Sequence, residues 1–147
     1  MLGKFICRRF DDGTVLRWCI TETEAYDDFE AVTYKSEMFH GTGEWCPCYG
    51  MLMINCTDQG CGNVLIRALD CVKGPCKVAD ALEIKEIENE IVKENVIFNE
   101  KLWLEDWGAT VKERRSKRVG IVKKEENDED IKEKNYQAQA ICFPFFK

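Results

Sequence analysis

The chain has 147 residues, a formal net charge of −6, 45% hydrophobic residues and 33% charged residues. These are the fractions of an ordinary globular protein, and the length suits one domain with a real core. No apolar run approaches the roughly 20 residues of a membrane-spanning helix, and the start lacks the long apolar stretch and small-residue cleavage site of a secretory signal. An intracellular protein is expected.

Residues 4–10 read as a strand, and Asp11-Asp12-Gly13 as a short hairpin loop in which Gly13 supplies a positive φ. Residues 14–23 read as the return strand. Leu16, Trp18 and Ile20 share one parity there, and Glu22 and Glu24 continue it. Two readings follow. If the strand runs on without a bulge, both carboxylates point where the apolar side chains point, and each needs partners or a task. If the chain twists at Thr21, both face water.

Residues 27–36 are polar and mixed, a loop or short helix, and 38–43 read as a loop. Residues 49–56 form an apolar run bounded by turn residues, consistent with a buried strand. A loop over 58–62 leads to its partner strand over 64–69. In that strand Val64, Ile66 and Ala68 face one way, and Leu65, Arg67 and Leu69 the other. Arg67 is a cation in an apolar strand. It either snorkels at a sheet edge or pairs with a carboxylate or a phosphate.

Gly74-Pro75 opens a helix, since proline suits the first helical position, and Val78, Ala81 and Leu82 fall on one face. The spacing of Ile84, Ile87 and Ile91 lets that helix run on. Trp103 and Trp107 read as core or packing residues, and 116–122 as a short strand. The chain divides into a core over 1–110 and a charged segment over 111–147, expected to be partly disordered. A basic block from Lys112 to Lys124 is followed by an acidic block from Glu125 to Asp130. The basic block suits phosphate contact, nuclear import or plain solvation, and it offsets what the net charge says against a nucleic-acid binder.

Nine cysteines are present, with one histidine, His40. The number is odd and no C-x-x-C pair occurs. Cys46-Pro47-Cys48 is too tight for a zinc knuckle, and the two C-x4-C spacings stand alone. Most of these cysteines read as reduced, buried, small apolar residues.

Several segments appear together in one order. They are Glu22-Thr23-Glu24-Ala25-Tyr26 after the hairpin, Tyr49-Gly50-Met51 with Asn55, the run from Val64 to Asp70, and Gly74-Pro75-Cys76-Lys77 leading to Ala81-Leu82. Arg118-Val119-Gly120 is a weaker fifth. This ordered set resembles the alkyladenine (3-methyladenine) DNA glycosylase family. The expected fold is α+β, a single domain with a curved, mainly antiparallel sheet and short helices around it.

The resemblance implies hydrolysis of the N-glycosidic bond of alkylated or deaminated purines in duplex DNA, after base flipping. It implies that Glu24 activates water and that Arg67 sits near that water and the adjoining phosphate. Tyr26 would stack on the extruded base, Asn55 would contact its edge, and Tyr49 would wedge into the gap. No metal or organic cofactor is implied. The partner would be damaged double-stranded DNA, the protein a monomer without membrane contact, and the location the nucleus.

The chain also departs from the family pattern. A histidine expected after the catalytic strand falls on Val32 or Thr33, with His40 too far along, and a second pocket tyrosine falls on Cys46. The spacing from Met51 to Asn55 is one residue short, and a helix between Asp70 and Gly74 is missing. The family's closing aromatic-rich strand is not recognisable. A catalytically impaired DNA-binding remnant of the family is therefore the alternative, and a thiol or metal protein a third reading.

Overall fold

The computed structural model describes residues 1–26, 41–48, 50–56, 62–92, 94–108, 110–116 and 137–141. The loop or short helix expected over 27–36, most of the loop over 58–62, Tyr49 and the two charge blocks beyond 116 lie outside the described residues.

Strand β1 (Phe5–Arg9) and strand β2 (Val15–Tyr26) pair antiparallel, from Phe5 opposite Cys19 to Arg9 opposite Val15. Gly13 has φ 86°, and its N–H reaches the Phe10 carbonyl at 2.9 Å. The Asp12 carboxylate accepts from the Thr14 N–H at 2.8 Å, the local bond that makes Asp a turn residue. β2 continues to Tyr26, so the Glu-Thr-Glu segment is strand throughout.

The other strands build on this one. β3 (Trp45–Cys48), β4 (Met51–Asn55) and β5 (Asn63–Leu69) lie in sequence on one side of β2, and β6 (Leu102–Glu105) lies beyond β1. β7 (Lys112–Ser116) pairs with β8 (Gln137–Ile141), and β8 pairs with β2 at Glu22–Glu24. Two strands of the charged C-terminal segment therefore belong to the sheet. Among the described residues the result is one curled, antiparallel, eight-stranded sheet carrying two short helices. That is the α+β, mainly antiparallel architecture expected.

The helical stretch is broken in two, contrary to the continuous helix that the isoleucine spacing allows. Helix α1 (Pro75–Ala81) ends where Glu83 takes φ 51°, and helix α2 (Ile84–Ile91) starts directly after it. A left-handed residue cannot continue a right-handed helix, so the axis must change direction. Both segments still bury an apolar face, Val78 and Leu82 from the first and Ile84, Ile87 and Ile91 from the second. These pack with Ile6, Ile20, Trp45, Leu52, Ile54, Ile66, Leu69 and Leu102 into one cluster.

Arg8 is 2% exposed beneath this layer. Its Nε donates to the Leu82 carbonyl at 2.9 Å, a second donor reaches the Arg9 carbonyl, and the guanidinium sits 4.8 Å from the Phe10 ring centre. Through the first of these bonds it serves a carbonyl that the end of α1 leaves without an intrahelical partner.

Of the two readings for Trp107, core or packing, the second describes it: the residue is 62% exposed. Its ring lies 4.8 Å from that of Phe5, and its N–H donates to Glu105 at 2.8 Å. Trp103, partly buried, donates to the same carboxylate at 2.9 Å. The polar handle of each indole fixes it to the outer side of β6 instead of the core. Among the described cysteines Cys7, Cys19 and Cys46 are buried, whereas Cys56, Cys71 and Cys76 are exposed. No described helix is long and apolar enough to cross a membrane.

Candidate functional site

The register shifts on both sides of Glu22 decide which way the acidic segment faces. Ile20 pairs with Leu69, Glu22 with Ala68, then Thr23 with Ile66 and Glu24 with Leu65. Such an irregularity re-aims the side chains that follow it. Ile20 and Ile66 both belong to the main core. Directly opposed residues share a face, so Thr23 lies on the face of Ile66 and Glu24 on the other, with Leu65. Both acids are buried, Glu22 at 8% and Glu24 at 1% exposure; Glu24 lies on the side of the sheet away from the main core, and Glu22, set between the two shifts, turns its carboxylate to Arg67. Neither simple alternation nor a turn to water describes them.

Cross-strand partners extend that face. Cys46, Met53, Leu65 and Glu24 form one row, and Asn55, Asn63 and Tyr26 another. The row between them, Ile54, Val64 and Ala25, points the opposite way, where Ile54 joins the core. Arg67 alternates with Leu65 along β5 and shares its side. Four of the residues singled out from the sequence, Glu24, Tyr26, Asn55 and Arg67, therefore lie on one face of three adjacent strands. Asn55 is fully buried, two strand spacings or about 10 Å of backbone from Tyr26.

Glu24 is held at both oxygens. Oε2 accepts the Tyr26 hydroxyl at 2.7 Å, and Oε1 accepts Arg67 Nη1 at 3.1 Å. The Tyr26 hydroxyl thus orients the carboxylate, a link that the stacking role implied by the resemblance did not include. Arg67 Nε lies 3.6 Å from Glu22 Oε2, and Lys73 Nζ lies 2.7 Å from Glu22 Oε1. The side chains make an alternating series, Lys73, Glu22, Arg67, Glu24, that closes on Tyr26.

Burying two carboxylates beside one guanidinium would leave a net negative charge in a poorly solvated place, and Lys73 balances it. It reaches the site because the chain doubles back after β5. Val72 accepts from the Leu69 N–H at 2.9 Å, the Gly74 N–H reaches the Arg67 carbonyl at 3.0 Å, and Lys73 forms a bridge with Ala68.

A carboxylate clamped in this way is a pre-oriented proton acceptor, and a guanidinium in contact with it is a ready partner for a phosphate or a developing charge. A cavity of about 330 Å³ opens on the opposite side of the sheet, bordered by Met1, Leu2, Thr23, Val64, Val111 and Glu113. It takes in none of the four.

Cys46, at the position of the family's second pocket tyrosine, is 2% exposed in the row of Glu24. Val32, Thr33, His40 and Tyr49 lie outside the described residues. Lys73 escaped the sequence reading, although two acids facing a single arginine already called for a second cation. Among the described residues no group of three histidine, cysteine, aspartate or glutamate side chains could hold a metal. A scan of the chain against protein-family models finds no match, and a search of curated proteins finds none.

Proposed function

We propose that the chain is a monofunctional DNA glycosylase acting on alkylated or deaminated purines in duplex DNA. The observation that carries the reading is Glu24, 1% exposed and fixed by Tyr26 and Arg67, with Asn55 on the same face of the sheet. The target atom is out of reach inside a duplex, so the nucleotide rotates out at a cost of a few kcal/mol, less for a lesion that stacks poorly.

Glu24 then takes a proton from water, and the resulting hydroxide forms the new bond to the sugar carbon as the purine leaves with the bonding pair. The negative carboxylate offsets the positive charge that grows on the sugar. Arg67 stands between that carboxylate and the adjoining phosphate. Asn55 meets the edge of the base, Tyr26 lines the place it enters, and Tyr49 fills the gap in the stack. Lys112, Arg114 and Arg115 of β7 are exposed, an edge suited to phosphate contacts despite the net charge of −6. The reaction needs no metal or organic cofactor. The protein works as a monomer, and its substrate places it in the nucleus.

The test is base release from a duplex carrying one hypoxanthine or ethenoadenine. Wild type should release the base, and Glu24→Gln should lower the rate by about 10²–10⁴-fold while retaining duplex binding. If wild type binds the duplex and releases nothing, the chain is the impaired DNA-binding form instead.

A further inference from the structure

We propose that the outer face of β6, β1 and β2 is a binding platform for single-stranded nucleic acid, built on Trp107, Trp103 and Arg9. The strand register puts its members together. Phe5 is opposed by Glu105, and Cys7 by Trp103 on one side and Arg17 on the other. Directly opposed residues share a face, and Arg9 alternates with Cys7 along β1. Ile6, between Phe5 and Cys7, points into the core. The face away from the core therefore carries two rings and two guanidiniums, and Trp107 closes over Phe5 from beyond β6.

These groups are layered. The Trp107 and Phe5 rings lie 4.8 Å apart with their planes 31° from parallel, and the Arg9 guanidinium lies 5.7 Å over the Trp103 ring. Phe5 and Trp103, partly buried, form the lower layer; Trp107, 62% exposed, and Arg9, also exposed, form the upper. Water thus meets an indole and a guanidinium plane, two surfaces on which unpaired bases stack. Phe5 and Trp103 are diagonal neighbours across the β1–β6 pair, a span of about 7–8 Å, so the two stacks serve neighbouring bases of one strand.

The polar chemistry of the face decides the occupant. Both indole N–H groups donate to Glu105, at 2.9 and 2.8 Å, and Arg17 Nε reaches the same carboxylate at 3.3 Å. Lys4 pairs with Asp106. The acids are matched by donors, whereas among the described residues no carboxylate lies within ion-pair distance of Arg9. The core of an interface with a folded protein is poor in charge, and this face alternates rings with charged groups throughout. Aromatic planes beside an unmatched cation suit bases and phosphates instead. The inference is independent of the glycosylase reading, and the probe that tests it carries no lesion.

The experiment titrates the full chain into two labelled oligonucleotides of about ten nucleotides, an oligothymidylate and an oligouridylate, and reads anisotropy together with tryptophan fluorescence. At low salt, saturable binding with quenched indole emission is expected for at least one of them, and the tighter of the two identifies DNA or RNA as the polymer. Trp107→Ala should weaken binding about five- to a hundredfold, and Trp107→Phe, which keeps a ring, should stay within about threefold of wild type. Arg9→Gln should weaken binding and lower the slope of log affinity against log salt by about 0.7. The double variant Arg114→Gln, Arg115→Gln tests the cations of β7: a loss confined to it, with W107A and R9Q unchanged, overturns the proposal. So does the absence of saturable binding to either oligonucleotide. Should W107A not fold, R9Q decides from the exposed layer, and an unchanged affinity and salt slope overturn the proposal. Self-association in sedimentation that W107A abolishes, with no oligonucleotide bound, makes the face a contact between copies and overturns it as well.

Discussion

Replacing Arg67 with methionine tests the buried network independently of any activity. Methionine keeps most of the apolar stem, so the change removes charge and donors and little packing. Glu24, 1% exposed, would lose the guanidinium bonded to its Oε1, while Glu22 would keep Lys73. Breaking a buried pair by deleting one member typically costs about 3–5 kcal/mol. The Arg67 side chain is 18% exposed, so water reaches part of the site, and the lower end, about 3 kcal/mol, is expected.

For a chain of 147 residues each kcal/mol shifts the melting temperature by roughly 2–4 °C, so a fall of about 6–12 °C should follow. Urea titration should show the lower midpoint with an unchanged slope. Glu24→Gln in the same background removes the stranded charge, and the double-mutant cycle should return a coupling of about 1–3 kcal/mol. A loss below about 0.5 kcal/mol in R67M, or no coupling to E24Q, would refute the buried pair as the stabilising element.

The left-handed Glu83 sits at the break between the two helices, φ 51°, and Glu83→Gly should stabilise the fold by about 1 kcal/mol in urea titration. The Glu105 carboxyl is held below its ordinary value of 4.5, first by the Trp103 indole, then by Trp107 and Arg17 against the opposing effect of burial. A depressed folded value contributes stability that is complete above 4.5 and disappears as pH falls through the lower folded value. Glu105→Gln should therefore flatten the acid limb of the stability–pH curve below 4.5, with Asp106, lowered chiefly by its bond from Lys4, supplying part of what remains. Burial, with Glu105 beside it, pushes the Cys7 thiol up to about 12. Iodoacetamide at about pH 8 should label Cys71 and Cys76 and spare Cys7, Cys19 and Cys46 in the native protein, as read by mass spectrometry.

What could be read from the residues was local. The first hairpin announces itself in Asp-Asp-Gly between alternating runs, and β5 in its apolar alternation. Pro75 marks a helix start wherever it is met after glycine. What could not be read depends on contacts made at a distance. β3 is four residues long with a proline inside it, which only its place at the sheet edge allows. The helix break falls on a glutamate, a residue type with no bias toward positive φ. The face of Glu24 turns on a register irregularity that alternation counted along one strand does not contain. The bond from Tyr26 to Glu24 joins neighbours two apart, whereas Lys73 meets Glu22 only because a turn brings the chain back. That is why the carboxylate and its arginine were visible beforehand and the rest of the network was not.

The stretch Glu22–Glu24 is flanked by β5 on one edge and β8 on the other. It is paired on both flanks, so a shift of even one residue would rupture two ladders at once. The amides there should be among the slowest to exchange with solvent. An acid mounted on such a keystone cannot travel to its target. In the proposed reaction the substrate therefore has to bend, swivel or unstack to come within reach, and discrimination would fall on how readily each candidate deforms.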